Sequence, residues 1–103
     1  MKTVTDYSGR QVRITDERLA HTLEHPEMDG MEEAIERTLR QPAEVRRSTA
    51  DETVELFYEF QADTIVGAKW LCVVVKYLPG DAFVITAYLT DKVKAGESVW
   101  PTK

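Results

Sequence analysis

The chain has 103 residues, 43% of them hydrophobic and 30% charged, with a net charge of −5. That predicts one domain over 1–103 and excludes a low-complexity or disordered chain. The acidity is spread, −2 over residues 1–50 and −3 over 51–103, which excludes an avid, nonspecific nucleic-acid binder.

Cys72 is the only cysteine, so no intrachain disulfide can form. It lies in an apolar strand, where a buried thiol is expected. The longest apolar run is too short to span a membrane. Met1–Asp6 does not read as a signal peptide, and a cytoplasmic location is expected.

Lys2–Thr5 and Gln11–Ile14 flank a turn at Ser8-Gly9 and predict a small β-arm. Thr15 is a good N-cap for a short helix with Leu19, Ala20 and Leu23 on its apolar stripe. Pro26 ends that helix near His25. Asp29, with Glu32 three residues on, predicts the start of a second helix. Its apolar stripe is Met31, Ala34, Ile35, Thr38 and Leu39, and Glu33–Arg37 and Glu36–Arg40 are i,i+4 pairs on its wet side. Pro42 stops it.

Residues 43–53 are polar and centre on Arg46-Arg47-Ser48; part of this segment is a candidate edge strand. Strands follow at Val54–Phe60, Trp70–Tyr77 and Ala82–Asp91, with a turn at Pro79-Gly80-Asp81. Residues 98–103 read as a tail after a core of about 8–97, with Trp100 as its anchor. The expected architecture is therefore an N-terminal β-arm and two helices packed on one face of a three- to four-stranded antiparallel sheet.

Strand alternation assigns the faces. Leu71, Val73, Val75 and Tyr77 are expected against the helices with Phe83, Ile85, Ala87 and Leu89, and with Val54, Leu56, Tyr58 and Phe60. The opposite face is expected to carry Trp70, Cys72, Val74, Lys76, Val84, Thr86, Tyr88 and Thr90 beside Glu55, Phe57 and Glu59. This pairing rests on a three-residue turn at 79–81.

Several residues can carry chemistry. Lys76, a lone charge on an apolar strand, can hold a phosphate or pair with Glu55 or Glu59 across the strands. Thr86 and Tyr88 can hydrogen-bond a ligand, and they are also ordinary strand residues. His21 and His25 share one helix face, as an acid/base pair, as two ligands of a metal, or as solvated side chains. Arg46 and Arg47 can grip phosphate or stand solvated in a loop.

Four stretches resemble a known group: Ser8-Gly-Arg-Gln-Val-Arg-Ile-Thr-Asp-Glu-Arg18, Ala20-His-Thr-Leu-Glu-His-Pro-Glu-Met28, Lys69-Trp-Leu-Cys-Val-Val-Val-Lys76 and Thr86-Ala-Tyr-Leu-Thr-Asp91. They are similar to small bacterial and phage-associated domains of the barnase–EndoU–colicin–RelE-like nuclease superfold. The resemblance implies a metal-independent ribonuclease or toxin-like nuclease without a cofactor, its site on the open sheet face. It implies His21 or His25 as acid or base, Arg46, Arg47 and Lys76 as phosphate ligands, and Thr86 and Tyr88 as substrate-positioning groups. RNA and an antitoxin- or immunity-like protein are the implied partners. A non-catalytic binding or interaction module on the same scaffold, a homodimer through a sheet edge, is the rival reading, with a histidine metal site third.

Overall fold

The computed structural model describes residues 1–94 and 96–101. The chain runs β1 (Lys2–Thr5), β2 (Gln11–Ile14), α1 (Asp16–Leu23), a 3₁₀ turn (Pro26–Met28) and α2 (Glu32–Arg40). It continues through β3 (Glu44–Arg47), β4 (Val54–Thr64), β5 (Gly67–Leu78), β6 (Asp81–Thr90) and β7 (Glu97–Trp100). Among the described residues no helix is long and apolar enough to cross a membrane.

Thr15 caps α1, its hydroxyl accepting from the Arg18 N–H at 3.2 Å. The second helix starts later than Asp29 because Gly30 has φ +75°, a left-handed turn that separates the 3₁₀ turn from α2. Ala34, Ile35, Thr38 and Leu39 form its buried stripe, as the periodicity predicts. Glu36 pairs with Arg40 at 3.7 Å, whereas Arg37 reaches across to Glu59 on β4 at 3.1 Å.

The expected three- to four-stranded antiparallel sheet is wrong. The protein is α+β, but all seven strands join one mixed sheet in the order β1-β2-β6-β5-β4-β3-β7. Only β2 and β6 run parallel, meeting at Arg13 and Phe83. The arm joins the sheet because its alternate residues Val4, Val12 and Ile14 are apolar and are buried in the core; this also covers an edge of β6 that would otherwise be left unpaired. Arg13 fastens the junction, donating to both Asp81 oxygens at 2.9 and 2.8 Å. At the other side, the segment around Arg46-Arg47 is strand β3, paired to β4. Residues 98–100 of the expected tail belong to β7, paired to β3, with Trp100 against Tyr7 at 5.5 Å between ring centroids. Residues 102 and 103 of that tail lie outside the described residues.

Both helices cover one sheet face. Under them lie Phe57, Leu71, Val73, Val75, Val12 and Val45, which with Leu39 of α2 are fully buried. Each such side chain contributes about 1.5–3 kcal/mol relative to exposure.

Two details of register correct the expected faces. First, the β4–β5 register sets Tyr58 opposite Cys72 and Phe57 opposite Val73. Directly opposed residues share a face, so Val54, Leu56, Tyr58 and Phe60 lie on the face away from the helices. Glu55, Phe57 and Glu59 lie on the helix side, the reverse of the expectation. Second, the β5–β6 turn has two central residues, Pro79 and Gly80, because Leu78 pairs with Asp81. Gly80 has φ +74°, the geometry of a type II turn with proline before glycine. This shorter turn shifts the alternation by one, placing Ala82 and Val84 under the helices. A bulge then follows: Val75 pairs with Val84 but Val74 with Thr86, leaving Ile85 as the extra residue. Beyond it the expected parity returns, with Ala87 and Leu89 packed with the helix-side core. Phe83 and Ile85 are the misplaced pair; Ile85 packs with the second apolar cluster, which is built on Val54, Leu56, Tyr58 and Cys72.

Candidate functional site

The sheet sorts the sequence-predicted site residues into two groups. Lys76, Thr86, Tyr88 and Arg46 project from the face away from the helices, where Thr86 stands opposite Val74, Tyr88 opposite Cys72 and Arg46 opposite Leu56. His21 and His25 stand on the helix side, both well exposed, their rings 6.5 Å apart. Each lies near its own glutamate, Glu24 at 3.6 Å and Glu27 at 3.9 Å. Arg47, one residue from Arg46, points to the helix side opposite Glu55. The sheet therefore stands between the histidines and Lys76.

On the open face Lys76 and Arg46 are already engaged. Lys76 donates to Asp51 at 2.7 Å, and that contact holds the Asp51 carboxyl well below its ordinary range. Glu55 and Glu59, expected as its partners, are on the other face. Arg46 donates to Glu44 at 2.7 Å and to the Gly96 carbonyl at 3.1 Å. The segment after β6 crosses this face: Val93 packs on the second apolar cluster, the Lys94 N–H donates to the Tyr58 hydroxyl at 3.2 Å, and the Lys94 ammonium stands 5.4 Å from the Tyr88 ring centre. Burial pushes the Tyr58 phenol up to about 12 and raises Tyr88 and Cys72 as well. Such groups hold their protons near neutrality and make poor bases.

A different constellation converges on the helix side, at the Tyr77 end of β5. It begins with the turn between β1 and β2. Asp6 Oδ1 accepts from the Ser8 N–H at 2.8 Å, the Ser8 hydroxyl at 2.8 Å and the Arg10 N–H at 2.9 Å, closing the turn over Gly9 at φ +91°. Its other oxygen accepts from the Tyr77 hydroxyl at 2.7 Å and lies 3.2 Å from Arg10 Nε. Burial alone would raise the Asp6 carboxyl, but these donors outweigh it and the net shift is downward. Burial and the facing Asp6 push the Tyr77 phenol far up.

Arg10 then lies over the Tyr77 ring, 3.8 Å from its centre, and donates through Nη2 to Glu55 Oε1 at 3.1 Å. The Glu55 side chain is only 10% exposed. Glu55 is one wall residue of a cleft of about 390 Å³ lined by Arg47, Glu52, Thr53, Glu55 and Tyr77. Arg47 donates one amine to Glu97 at 3.2 Å. Tyr7, edge-on to Phe57, lies within electrostatic reach of Glu55, Arg10, Asp6 and Arg47; burial, then Glu55, raises its phenol. On the other side of Tyr77 a second cavity of about 280 Å³ is lined by Arg10, Gln11, Tyr77, Leu78, Gly80, Asp81 and Ala82.

Of the expected set only Arg47 belongs to this cleft. Glu55 carried a visible signal, a carboxylate inside an apolar strand. Its two arginines come from segments 45 and 8 residues away, and no local pattern links them.

No protein-family model, no curated protein and no solved structure matches this chain.

Proposed function

We propose that the cleft at the Tyr77 end binds RNA and cleaves its phosphodiester chain without a metal. The observation that carries this reading is the nearly buried Glu55, held by Arg10 and opposite Arg47 across the β3–β4 pairing, in an open cleft that also carries Glu52. Glu55 takes the proton of a ribose 2′-hydroxyl, and the 2′-oxygen attacks the adjacent phosphorus. Arg10 and Arg47 balance the charge that builds on the phosphorane oxygens. The bond to the 5′-oxygen breaks, that oxygen takes a proton from solvent, and Glu55 returns its own proton to solvent. The products are a 2′,3′-cyclic phosphate and a free 5′-hydroxyl. This keeps the chemistry implied by the resemblance and moves it from Lys76 and the histidines to Glu55, Arg10 and Arg47. On a chain of net charge −5, affinity comes from these two guanidiniums rather than from a long-range field. The buried, unpaired Cys72 suits a reducing cytoplasm.

The test is cleavage of single-stranded RNA in chelator, with the cyclic phosphate as readout. Glu55→Gln lowers kcat about 10²-fold or more with little change in RNA affinity. Absence of cleavage by concentrated wild-type protein, or full activity in Glu55→Gln, refutes the reading.

A second reading, a non-catalytic interaction module, is favoured by the β4–β5 hairpin. Its outer part exposes Ile65 (71%), Val66 (51%) and Phe60 (50%), the last edge-on to Trp70 at 5.4 Å. Such a tip suits self-association or an immunity-like partner. Light scattering decides the first: a dimer that Ile65→Asp converts to monomer supports it, and a monomer at high concentration counts against it.

A further inference from the structure

The cavity beside Arg10 and Leu78 has no part in the cleavage chemistry above. At about 280 Å³ it falls just below the roughly 300–1,000 Å³ range of whole small-ligand sites, a size for one ring system. Its walls are unlike those of the cleft. Leu78, left 44% exposed at the hairpin end, gives an apolar side, and the Gly80–Ala82 backbone gives another. Arg10 contributes a planar guanidinium whose inner face is already stacked on Tyr77. Gln11 supplies an amide at the rim. Its nitrogen donates to the Thr5 hydroxyl at 2.9 Å, which fixes the side chain and turns its oxygen the other way. Asp81 is committed to Arg13 through both oxygens, so it is not a free charge for a cationic ligand.

We propose that this cavity is a slot for one unpaired nucleobase. Planar faces, one apolar wall and one fixed amide are the features by which proteins hold a splayed RNA base: stacking on an arginine plane and hydrogen bonding at its edge. Arg10 joins the slot to the cleft. Its face lines the slot while its Nη2 holds Glu55, so a base in the slot sets the backbone of the same nucleotide toward Glu55 and Arg47. The inference rests on the RNA reading of the cleft and names its substrate: single-stranded RNA, engaged one base at a time next to the cleaved bond. A paired base cannot enter, because its edge is occupied and its faces are stacked.

The experiment is a titration of the intact chain, followed by NMR, with nucleoside 3′-monophosphates and separately with inorganic phosphate. The slot predicts that a nucleotide binds more tightly than phosphate and shifts the amide signals of Gln11 and Gly80. The double variant Leu78→Ser with Gln11→Ala weakens nucleotide binding about tenfold and leaves phosphate binding unchanged. Both positions are solvent-exposed, and a retained thermal midpoint shows the fold intact. Gln11→Ala alone changes the ranking among the four bases. Equal binding of nucleotide and phosphate, or an unchanged nucleotide affinity in the double variant, overturns the slot. The two proposals fail separately. RNA cleavage that the double variant leaves untouched overturns the slot and keeps the cleavage reading. Nucleotide binding lost in the double variant, in a protein that cleaves no RNA, keeps the slot and removes the cleavage reading.

Discussion

Replacing Tyr77 by Phe removes one hydroxyl from the network that fastens the β1–β2 turn to the sheet. The Asp6 side chain is fully enclosed, and the Tyr77 hydroxyl is the shortest contact of its Oδ2 at 2.7 Å. A hydrogen bond to a charged group contributes about 1.5–3 kcal/mol. Arg10 Nε remains 3.2 Å from the same oxygen, so the loss falls toward the lower part of that range, about 2 kcal/mol. For a domain near 100 residues this lowers the thermal midpoint by on the order of 10 °C. Urea unfolding followed by fluorescence reads it as a lower midpoint with an unchanged m-value. The pH dependence gives a second readout. The folded Asp6 carboxyl lies below its ordinary value of 3.8, so its contribution is complete above pH 4 and is lost as pH falls through the lowered folded value. The folded Tyr77 phenol lies above its ordinary value of 10, so its contribution is complete below pH 10 and is lost as pH climbs beyond it. Tyr77→Phe flattens both limbs, and Asp6→Asn removes the acid one and weakens the alkaline one, because Asp6 helps raise the Tyr77 phenol. A loss under about 0.5 kcal/mol, below the range for any charged hydrogen bond, refutes the reasoning; so does an acid limb as steep as in the wild type.

Lys76→Ala separates the two sheet faces: RNA cleavage stays unchanged if the Glu55 cleft is the site, and a large fall in kcat transfers the chemistry to the open face. Phe57→Ala, in the fully buried core, costs about 3–5 kcal/mol by chemical denaturation; a loss near zero contradicts the helix-side placement. Gly80→Ala forces a side chain into φ +74° and costs about 1–2 kcal/mol, measured the same way. At Gly96 an added Cβ meets the Arg47 carbonyl at 2.6 Å, so Gly96→Ala loosens β7 from β3, seen as faster amide exchange at Val99 and Trp100.

The local rules predicted local structure well. The Thr15 cap, the α2 stripe from Ala34 to Leu39, the arm around Ser8-Gly9 and the hairpin through Pro79-Gly80 all follow from interactions within a few residues. The apolar run Leu71, Val73, Val75 also marked the helix-side face without help. What failed was parity and partnership. A turn shorter by one residue and a bulge at Ile85 decide which side Phe83, Val84 and Ile85 take, because the side-chain period along a strand is two and any single-residue shift inverts it. The strand count failed for a related reason. Lys2–Thr5, Glu44–Arg47 and Glu97–Trp100 are four-residue strands whose stability comes from pairing, so nothing in their own composition separates sheet from arm, loop or tail. The candidate site shows the same limit. The sequence supplied its residue types, a carboxylate in an apolar strand and arginines near turns. Only the closure of the sheet brings Arg10, from the first hairpin, and Arg47, from β3, to either side of Glu55, because contacts across 45 residues are fixed by packing rather than by periodicity.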